Sequence, residues 1–572
     1  MVAWGVSGCA GETDGLFRLT IVDHDTSEVV AARVTLTHSS GAFVIPAEAL
    51  PVFGDCGQIP FHNWAPVAAT LQTYWGKNRS VRNPFRGSED FYSSGTLTAK
   101  LRPGRYRIQV QKGLEYREAE DEFVISAGAE HRLRVALRRW SNLPAHGWYS
   151  SDDHLHIPRP HPRFDPAIAT WMQAEDIHVA NLLQMGLARD VHITPQRAFG
   201  PRSLYQAGRT LLVGGQENPR THVLGHSIIL GAKSWIDFPQ AYLVYERAWR
   251  EAQRQGAVAG YAHFAMAGAH DGLAVWAPEH LIDFIEVLNL GFPYYKTWYE
   301  ALDLGMRVAP TAGTDYPCVA TLPGRERFYV KVDGALTLEN WLDAVRRGRT
   351  FVTNGPVLEL SAEEAGIGDE LVLASPRVVK VRARVRFDPT RDRVERLEIV
   401  RGGEVIATHA ASGENGDFAI EVSVPVSMST WLAARASGQK VGERPADSIE
   451  PLIEYVLRLN RRADRSLREE LGEAATPERP RPSAAHTAPI YLRVEGTPPI
   501  AEQPRAREVA RSWLELLGDL AARLGDERLA GLAGFPGSGD GVTLEDLRAN
   551  RTELLQAIQK ARAHYQGRVE PP

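Results

Sequence analysis

A chain of 572 residues exceeds what one hydrophobic core usually organises, so two to four domains are expected. Its formal net charge is -5 and no dense Lys/Arg block occurs, which argues against nucleic acid or an anionic membrane surface as partner. No apolar run approaches the roughly 20 residues of a membrane helix, so no transmembrane segment is expected.

The start, Met1-Val-Ala-Trp-Gly-Val-Ser-Gly-Cys9, lacks a basic n-region, although Val6-Ser-Gly-Cys9 has the look of a lipoprotein cleavage box. Location is therefore open between cytoplasmic and, with an export signal, periplasmic or extracellular. Cys9, Cys56 and Cys318 make neither a zinc ribbon nor a disulfide framework, so the redox compartment stays open too.

In chain order, residues 1–144 read as a β-sandwich-like domain. Tyr106, Ile108 and Val110 alternate with polar residues, Leu133, Val135 and Leu137 repeat the alternation, and Leu101-Arg-Pro-Gly-Arg105 is a turn before a strand. The stretch from Phe61 to Phe91, rich in Asn, Gly and Trp and without a clear period, is expected to be a long insertion approaching the next domain. From 145 to 356, short apolar runs alternate with helical segments. Strand-like runs fall at Ile177–Met185, Thr210–Val213, Val223–Leu230, Ala257–Ala262, Phe284–Leu290 and Arg307–Thr311, with helices such as Ala241–Gln255 between some of them. That order is the signature of an α/β barrel.

Residues 357–500 return to a β-sandwich-like pattern. Val379, Val381, Ala383, Val385 and Phe387 alternate with basic residues, which gives one buried and one solvated face, and Gly402-Gly403 reads as a hairpin turn. Ala474 to Ala485 looks like a linker or surface loop. The last part, 501–572, is helical: Ala506–Leu524 has helical spacing, and Thr543-Leu-Glu-Asp546 is a capping box for a helix running to Tyr565.

Six metal-type ligands recur through the central segment, each at or just past the end of an apolar run: His154, His156, Glu217, His226, His263 and Asp315. Strand ends converge on one face of an α/β barrel, so such residues can meet there. His154 and His156 fall on the same side of an extended strand and can reach one ion, while a carboxylate can bridge two ions. A paired site makes hydroxide from water near neutral pH. Taken singly each piece has a plainer reading: strand histidines by chance, a surface carboxylate at Glu217, satisfied core histidines at His226 and His263, a turn residue at Asp315. Their joint order favours a site. Glu286, inside an apolar run, needs a partner in or near it, unless its strand is an edge.

At these residues the chain resembles the PHP (polymerase and histidinol phosphatase) superfamily, particularly its CehA/McbA-like metallohydrolase branch. The likeness covers roughly Gly147 to Pro356. It implies a distorted seven-stranded (β/α) barrel, flanked here by the β-sandwich-like domains and the C-terminal helical segment. It also implies hydrolysis of phosphoester, amide or carbamate bonds. By that resemblance His154, His156 and Asp315 hold the first ion, and Glu217 bridges to a second held by His226 and His263. Asp152 orients an imidazole from behind. Two departures stand out: Asn181-Leu-Leu-Gln-Met185 replaces the family's Thr-Asp-His-Asn, and Pro317 stands where a His often follows the Asp. Those positions hold a third ion in trinuclear members. His161, in Arg-Pro-His-Pro, is either a remnant of that third site or an exposed loop residue.

The sequence thus leads to a metal-dependent hydrolase carrying two divalent transition-metal ions, Zn, Mn or Fe. Glu217 and Asp315 would be its catalytic carboxylates, and its substrate a small molecule or glycan-like compound joined by a phosphoester, amide, carbamate or ester bond. The alternative is a non-catalytic glycan-binding or scaffold protein with a structural metal in a degenerate barrel. Lys296, Tyr316 and Arg307 stand between substrate contacts and ordinary surface residues. Trp75, Trp171 and Trp298 read as core, and His178, His192, His222, His270 and His280 as structural.

Overall fold

The computed structural model describes residues 13–54, 78–186, 192–263, 268–289, 291–319, 321–412, 416–443, 481–525, 529 and 542–570. Cys9, Cys56, the lipoprotein-like box, Trp75 and much of the Phe61–Phe91 insertion lie outside them. The chain is mixed α/β, mostly strands in several sheets, with seven α-helices among the described residues.

Strands β1 (Gly15–Asp23), β2 (Ala32–His38), β3 (Val81–Asn83), β4 (Ser88–Ser93), β5 (Thr96–Leu101), β6 (Gly104–Gln111), β7 (Ala119–Ile125) and β8 (Glu130–Leu137) form two sheets, of order β5-β1-β8 and β3-β4-β2-β6-β7. The alternation in β6 buries Tyr106, Ile108 and Val110 in a core shared with Phe17, Val34 and Leu36. This body is tied to the next by buried ion pairs and hydrogen bonds: Arg33 to Glu175 at 2.9 Å, the Tyr92 hydroxyl to Glu175 at 2.7 Å, and Arg139 to Asp176 at 3.1 Å. Groups buried this deeply are tolerated because each finds a partner.

The central elements are β9 (Trp148–Leu155), α1 (Asp165–Ala174), β10 (Val179–Gly186), β11 (His192–Ile193), β12 (Tyr205–Ala207), β13 (Thr210–Thr221), β14 (Gly225–Leu230), α2 (Tyr245–Gln255), β15 (Val258–Tyr261), α3 (Ala269–Trp276), β16 (Phe284–Asn289), β17 (Phe292–Pro293), α4 (Lys296–Asp303) and β18 (Ala309–Ala312). Strands β9, β10 and β13 run parallel, as do β15, β16 and β18, whereas β14 is antiparallel to both its neighbours. Just past β18, Tyr316 bridges in parallel to Leu155, and the sheet closes on itself. β10 is buried at every position, the expected state of a strand covered on both faces. Helix α2 begins at Tyr245, four residues after its expected start, because Pro239–Ala241 makes a short 3-10 turn first. Its Tyr245, Ala248, Trp249 and Ala252 form the buried stripe, and Gly256, with φ of 80°, ends it in the left-handed conformation.

Next come β19 (Arg327–Lys331), α5 (Leu338–Arg346) and β20 (Thr350–Thr353). They are followed by β21 (Val357–Ala362), β22 (Ala365–Gly366), β23 (Glu370–Leu373), β24 (Arg377–Arg386), β25 (Asp392–Arg401), β26 (Glu404–Ala410), β27 (Asp417–Val426), β28 (Thr430–Lys440), β29 (Pro482–Thr487) and β30 (Ile490–Val494). β19 pairs with β9 and β20, and β20 with β29, so hydrogen bonding runs unbroken from the closed sheet into the C-terminal strands. One correction falls here. Residues 482–485, expected as the end of a linker, belong to β29, which lies between β28 and β20 with Ala484 and Ala485 buried. Small alanines suit a closely packed strand, and composition alone mistook them for loop. Finally, α6 (Pro504–Arg523) and α7 (Leu544–Val569) pack on the central helices: Trp513 donates to Glu300 at 2.9 Å and Tyr565 to the Ala274 carbonyl at 3.1 Å. The Thr543/Asp546 capping box opens α7. Among the described residues, no helix is long and apolar enough to cross a membrane.

Candidate metal centre

Strand geometry gathers the six ligand candidates. His154 is near the end of β9 and His156 just beyond it, and the His156 amide donates to the Tyr316 carbonyl at 2.7 Å. Glu217 lies within β13. Because β14 runs antiparallel, its second residue, His226, sits at the same end of the sheet as the C-termini of the other strands. His263 and Asp315 follow β15 and β18. Both are non-glycine residues at positive φ, 25° and 53°, a conformation that costs about 1 kcal/mol or more and persists only where the surroundings enforce it.

Glu217 is the hub. Its carboxylate oxygens lie 3.8 Å from His154 Nε2, 3.5 Å from His156 Nε2, 3.5 Å from His263 Nε2 and 2.6 Å from His226 Nδ1. Asp315 Oδ1 lies 3.0 Å from His156 Nε2 and 3.5 Å from His154 Nε2. Three overlapping groups have ligand atoms that all lie within 4.8 Å of one another: His154, His156 and Glu217; His154, His263 and Asp315; Glu217, His226 and His263. A fourth adds Cys318 to His156 and Asp315, but Cys318 is in a disulfide bond and offers no thiolate. One such bond is compatible with a chain whose three cysteines make no disulfide framework, and spacing alone does not reveal pairing.

The donor set fits divalent transition metals, being imidazole and carboxylate throughout. Glu217 Oε2 is buried and receives no well-aligned hydrogen bond, although Arg220 Nε lies 3.1 Å and His156 Nε2 3.5 Å away, and a bound cation would satisfy it more fully. Burial opposes ionisation of Glu217, yet Arg220 and His226 hold its carboxyl well below the usual range. Asp315 behaves alike: against burial, His154 and His156 lower it to about 2. Burial brings His226 down to about 4, so its ring is neutral and able to ligate.

Behind the ligands stand three buried carboxyls. Asp152 accepts from the Thr314 hydroxyl at 2.7 Å and from the His154, Thr314 and Gly324 amides, so it ties β9 to the Asp315 loop; burial pushes it up to about 7. Glu286 is not on an edge. Its oxygens lie 3.3 and 3.4 Å from His154 Nδ1 and accept the His263 amide, and burial raises it to about 8. With Nδ1 held by Glu286, His154 presents Nε2 to the cluster, the arrangement that fixes a ligand's tautomer. Asp153, which sequence reasoning missed, is fully buried beside Glu286 and is raised by that burial and by the Glu286 charge. A register shift against β10 between Asp152 and Leu155 breaks the strand alternation there.

The other candidates disperse. His161 is exposed and caps a short 3-10 helix by accepting the Arg163 amide at 3.1 Å. Tyr316 is buried, and its hydroxyl donates to the Phe53 carbonyl at 2.8 Å, which ties the segment ahead of the expected Phe61–Phe91 insertion to the residue after Asp315. Arg307 precedes β18, at the opposite end from Asp315. There it pairs with Glu370 in a cavity of about 290 Å³ lined also by Arg346, Arg347 and Arg349. Lys296 is exposed, and Trp171 and Trp298 are core. Arg220 was not anticipated at all: its Nε lies 3.1 Å from Glu217 Oε2.

Protein-family models give no match to this chain, and no curated protein matches it. Among solved structures, the crystal structure of an engineered protein aligns over 48% of each chain at 14% identity and a TM-score of 0.11, a level that carries no argument.

Proposed function

We propose that this protein is a metal-dependent hydrolase of the PHP, CehA/McbA-like type, built on a distorted seven-stranded barrel that holds two divalent transition-metal ions at its strand ends. The observation that carries the reading is the convergence of four imidazoles on the single carboxylate of Glu217, with Asp315 alongside. Such ions supply an activated water and polarise the scissile oxygen. His154, His156 and Asp315 would hold one of them and His226 and His263 the other, with Glu217 between. Asp315, kept ionised and partly open to solvent, would be placed to accept a proton from such a water. Glu286 and Asp152 keep His154 and the Asp315 loop in place, so the ligand atoms need little rearrangement. The disulfide at Cys318 favours an oxidising compartment.

The test is turnover. Protein stripped with chelator and reloaded with Zn, Mn or Fe should hydrolyse at least one of a panel of phosphoester, ester, amide and carbamate substrates, and lose that activity on stripping. A metal-loaded protein inert across the panel but retained on polysaccharide would favour the glycan-binding alternative.

A further inference from the structure

Cys318 shares a turn with Asp315. Its amide donates to the Asp315 carbonyl at 2.9 Å, and the Val319 amide reaches the same oxygen at 3.3 Å. With the Tyr316 hydroxyl held by the Phe53 carbonyl, these bonds set the Cys318 backbone beside Asp315 without help from the disulfide. A ring nitrogen of His156, a carboxylate oxygen of Asp315 and Cys318 Sγ all lie within 4.8 Å of one another. Ligand atoms round one tetrahedral ion are about 3.3–3.8 Å apart, so closure asks for about 1.5 Å at most, within reach of a side-chain rotation. His156 is buried and no hydrogen bond holds its Nδ1, so that nitrogen does not lock the ring against such a closure.

In its disulfide the sulfur is no thiolate and so no strong ligand. It is half-buried, and a small thiol can reach it. Exchange with a dithiol breaks the S–S bond. The dithiol supplies two electrons and two protons and closes to its own disulfide, and Cys318 and its partner cysteine become thiols. On ligation the Cys318 thiol releases its proton to solvent.

We propose that Cys318 is a redox-released ligand of the first ion: reduction adds a sulfur to the shell of His154, His156 and Asp315 and moves the preference of the centre from Mn towards Zn, Co and Cd, which take thiolate more readily. The proposal rests on the metallohydrolase reading for the existence of that ion, but needs no turnover.

The test uses the full chain, oxidised, or reduced with dithiothreitol and desalted without air, and titrated with Co²⁺. Oxidised protein should bind cobalt without a sulfur-to-metal charge-transfer band. Reduced protein should show that band at about one thiolate per chain, and Cys318→Ser should lose it. The two other cysteines, Cys9 and Cys56, lie outside the described residues. Of Cys9→Ser and Cys56→Ser, the one that removes the partner should show the band with no reductant. Competition between Zn and Mn should move towards Zn about ten-fold or more on reduction of wild type, and stay within two-fold in Cys318→Ser. Reduced protein that keeps its near-ultraviolet circular dichroism yet shows no band, or a band that survives in Cys318→Ser, overturns the proposal. Unfolding on reduction in place of ligation makes the bond structural and overturns it too. Oxidised protein that binds no cobalt sinks the metallohydrolase reading, whereas a band confined to the reduced protein still sustains ligation by Cys318.

Discussion

Gly313 gives the sharpest test of how tightly the centre is built. A Cβ at this position would lie 2.4 Å from Glu286 Oε1, 2.4 Å from His154 Cβ and 2.5 Å from Asp153 Oδ1. Ordinary contact needs about 3.4 Å or more, so Gly313→Ala must displace these groups by about 1 Å in a close-packed interior. None yields easily: His154 Cβ is fixed to the backbone of β9, and Glu286 is engaged by His154 and the His263 amide. Overpacking of this kind costs about 1–3 kcal/mol. The larger consequence is geometric. Ligand distances tolerate only about 0.2 Å, and disturbing the groups that orient a ligand lowers metal affinity on the order of 10- to 100-fold. Chelator competition with Zn or Mn should show that drop in Gly313→Ala, and urea unfolding of the metal-free protein the stability loss. Gly567→Ala, in α7, is the control, since its Cβ would meet nothing within 4 Å. Wild-type affinity in Gly313→Ala, within two-fold, would mean that His154 and Glu286 do not position a metal.

The ligand candidates were legible because they are chemically distinctive residues at recurrent places, the ends of apolar runs, and strand geometry carries such places to one face. What escaped depended on register. Arg220 is indistinguishable in sequence from a surface arginine, and only the shift in the β13–β14 ladder sets it beside Glu217. Asp153 was hidden by the irregularity in β9, which alternation does not anticipate. Likewise β29 gains its strand character from partners more than 40 residues away in sequence, β28 and β20, and not from its own Ala-rich composition. The ion pairs of Arg33 and Arg139 with Glu175 and Asp176, which join the N-terminal sheets to the centre, have no local signature either. The pattern of apolar residues marks elements and their buried faces, but long-range pairing decides which charged groups are neutralised inside.

Further expectations concern acid stability and the cluster itself. His178 is lowered by burial to about 4 and His486 to about 3. His486 is fixed by the Thr487 carbonyl at Nδ1, 2.7 Å, and the Tyr299 hydroxyl at Nε2, 2.5 Å. With folded values below the ordinary 6.5, each binds fewer protons folded than unfolded, so stability is lost as pH falls through 6.5 towards 4, by about 2 kcal/mol per histidine at pH 5. Urea unfolding at pH 7 and 5 should show His178→Gln losing about 2 kcal/mol less than wild type; an identical loss would refute the neutral buried ring. Glu217→Gln should lower metal occupancy and abolish turnover, whereas His161→Ala should leave both within two-fold; mass spectrometry of metal content and initial rates decide. The last expectation is the number of ions. Of the two amides in the Asn181–Met185 stretch, Gln184 Oε1 accepts the Gln196 amide at 3.1 Å, whereas Asn181 Nδ2 donates to the Asp152 carbonyl at 3.2 Å and leaves its Oδ1 buried without a hydrogen bond. Pro317 offers no side-chain donor. A neutral amide oxygen is a poor ligand for a transition metal beside imidazole or carboxylate, so elemental analysis of metal-replete protein should give about two ions per chain, lying roughly 3.5 to 4 Å apart as in paired-metal hydrolases. Three tightly held ions would show that ligands beyond the six named residues complete another shell.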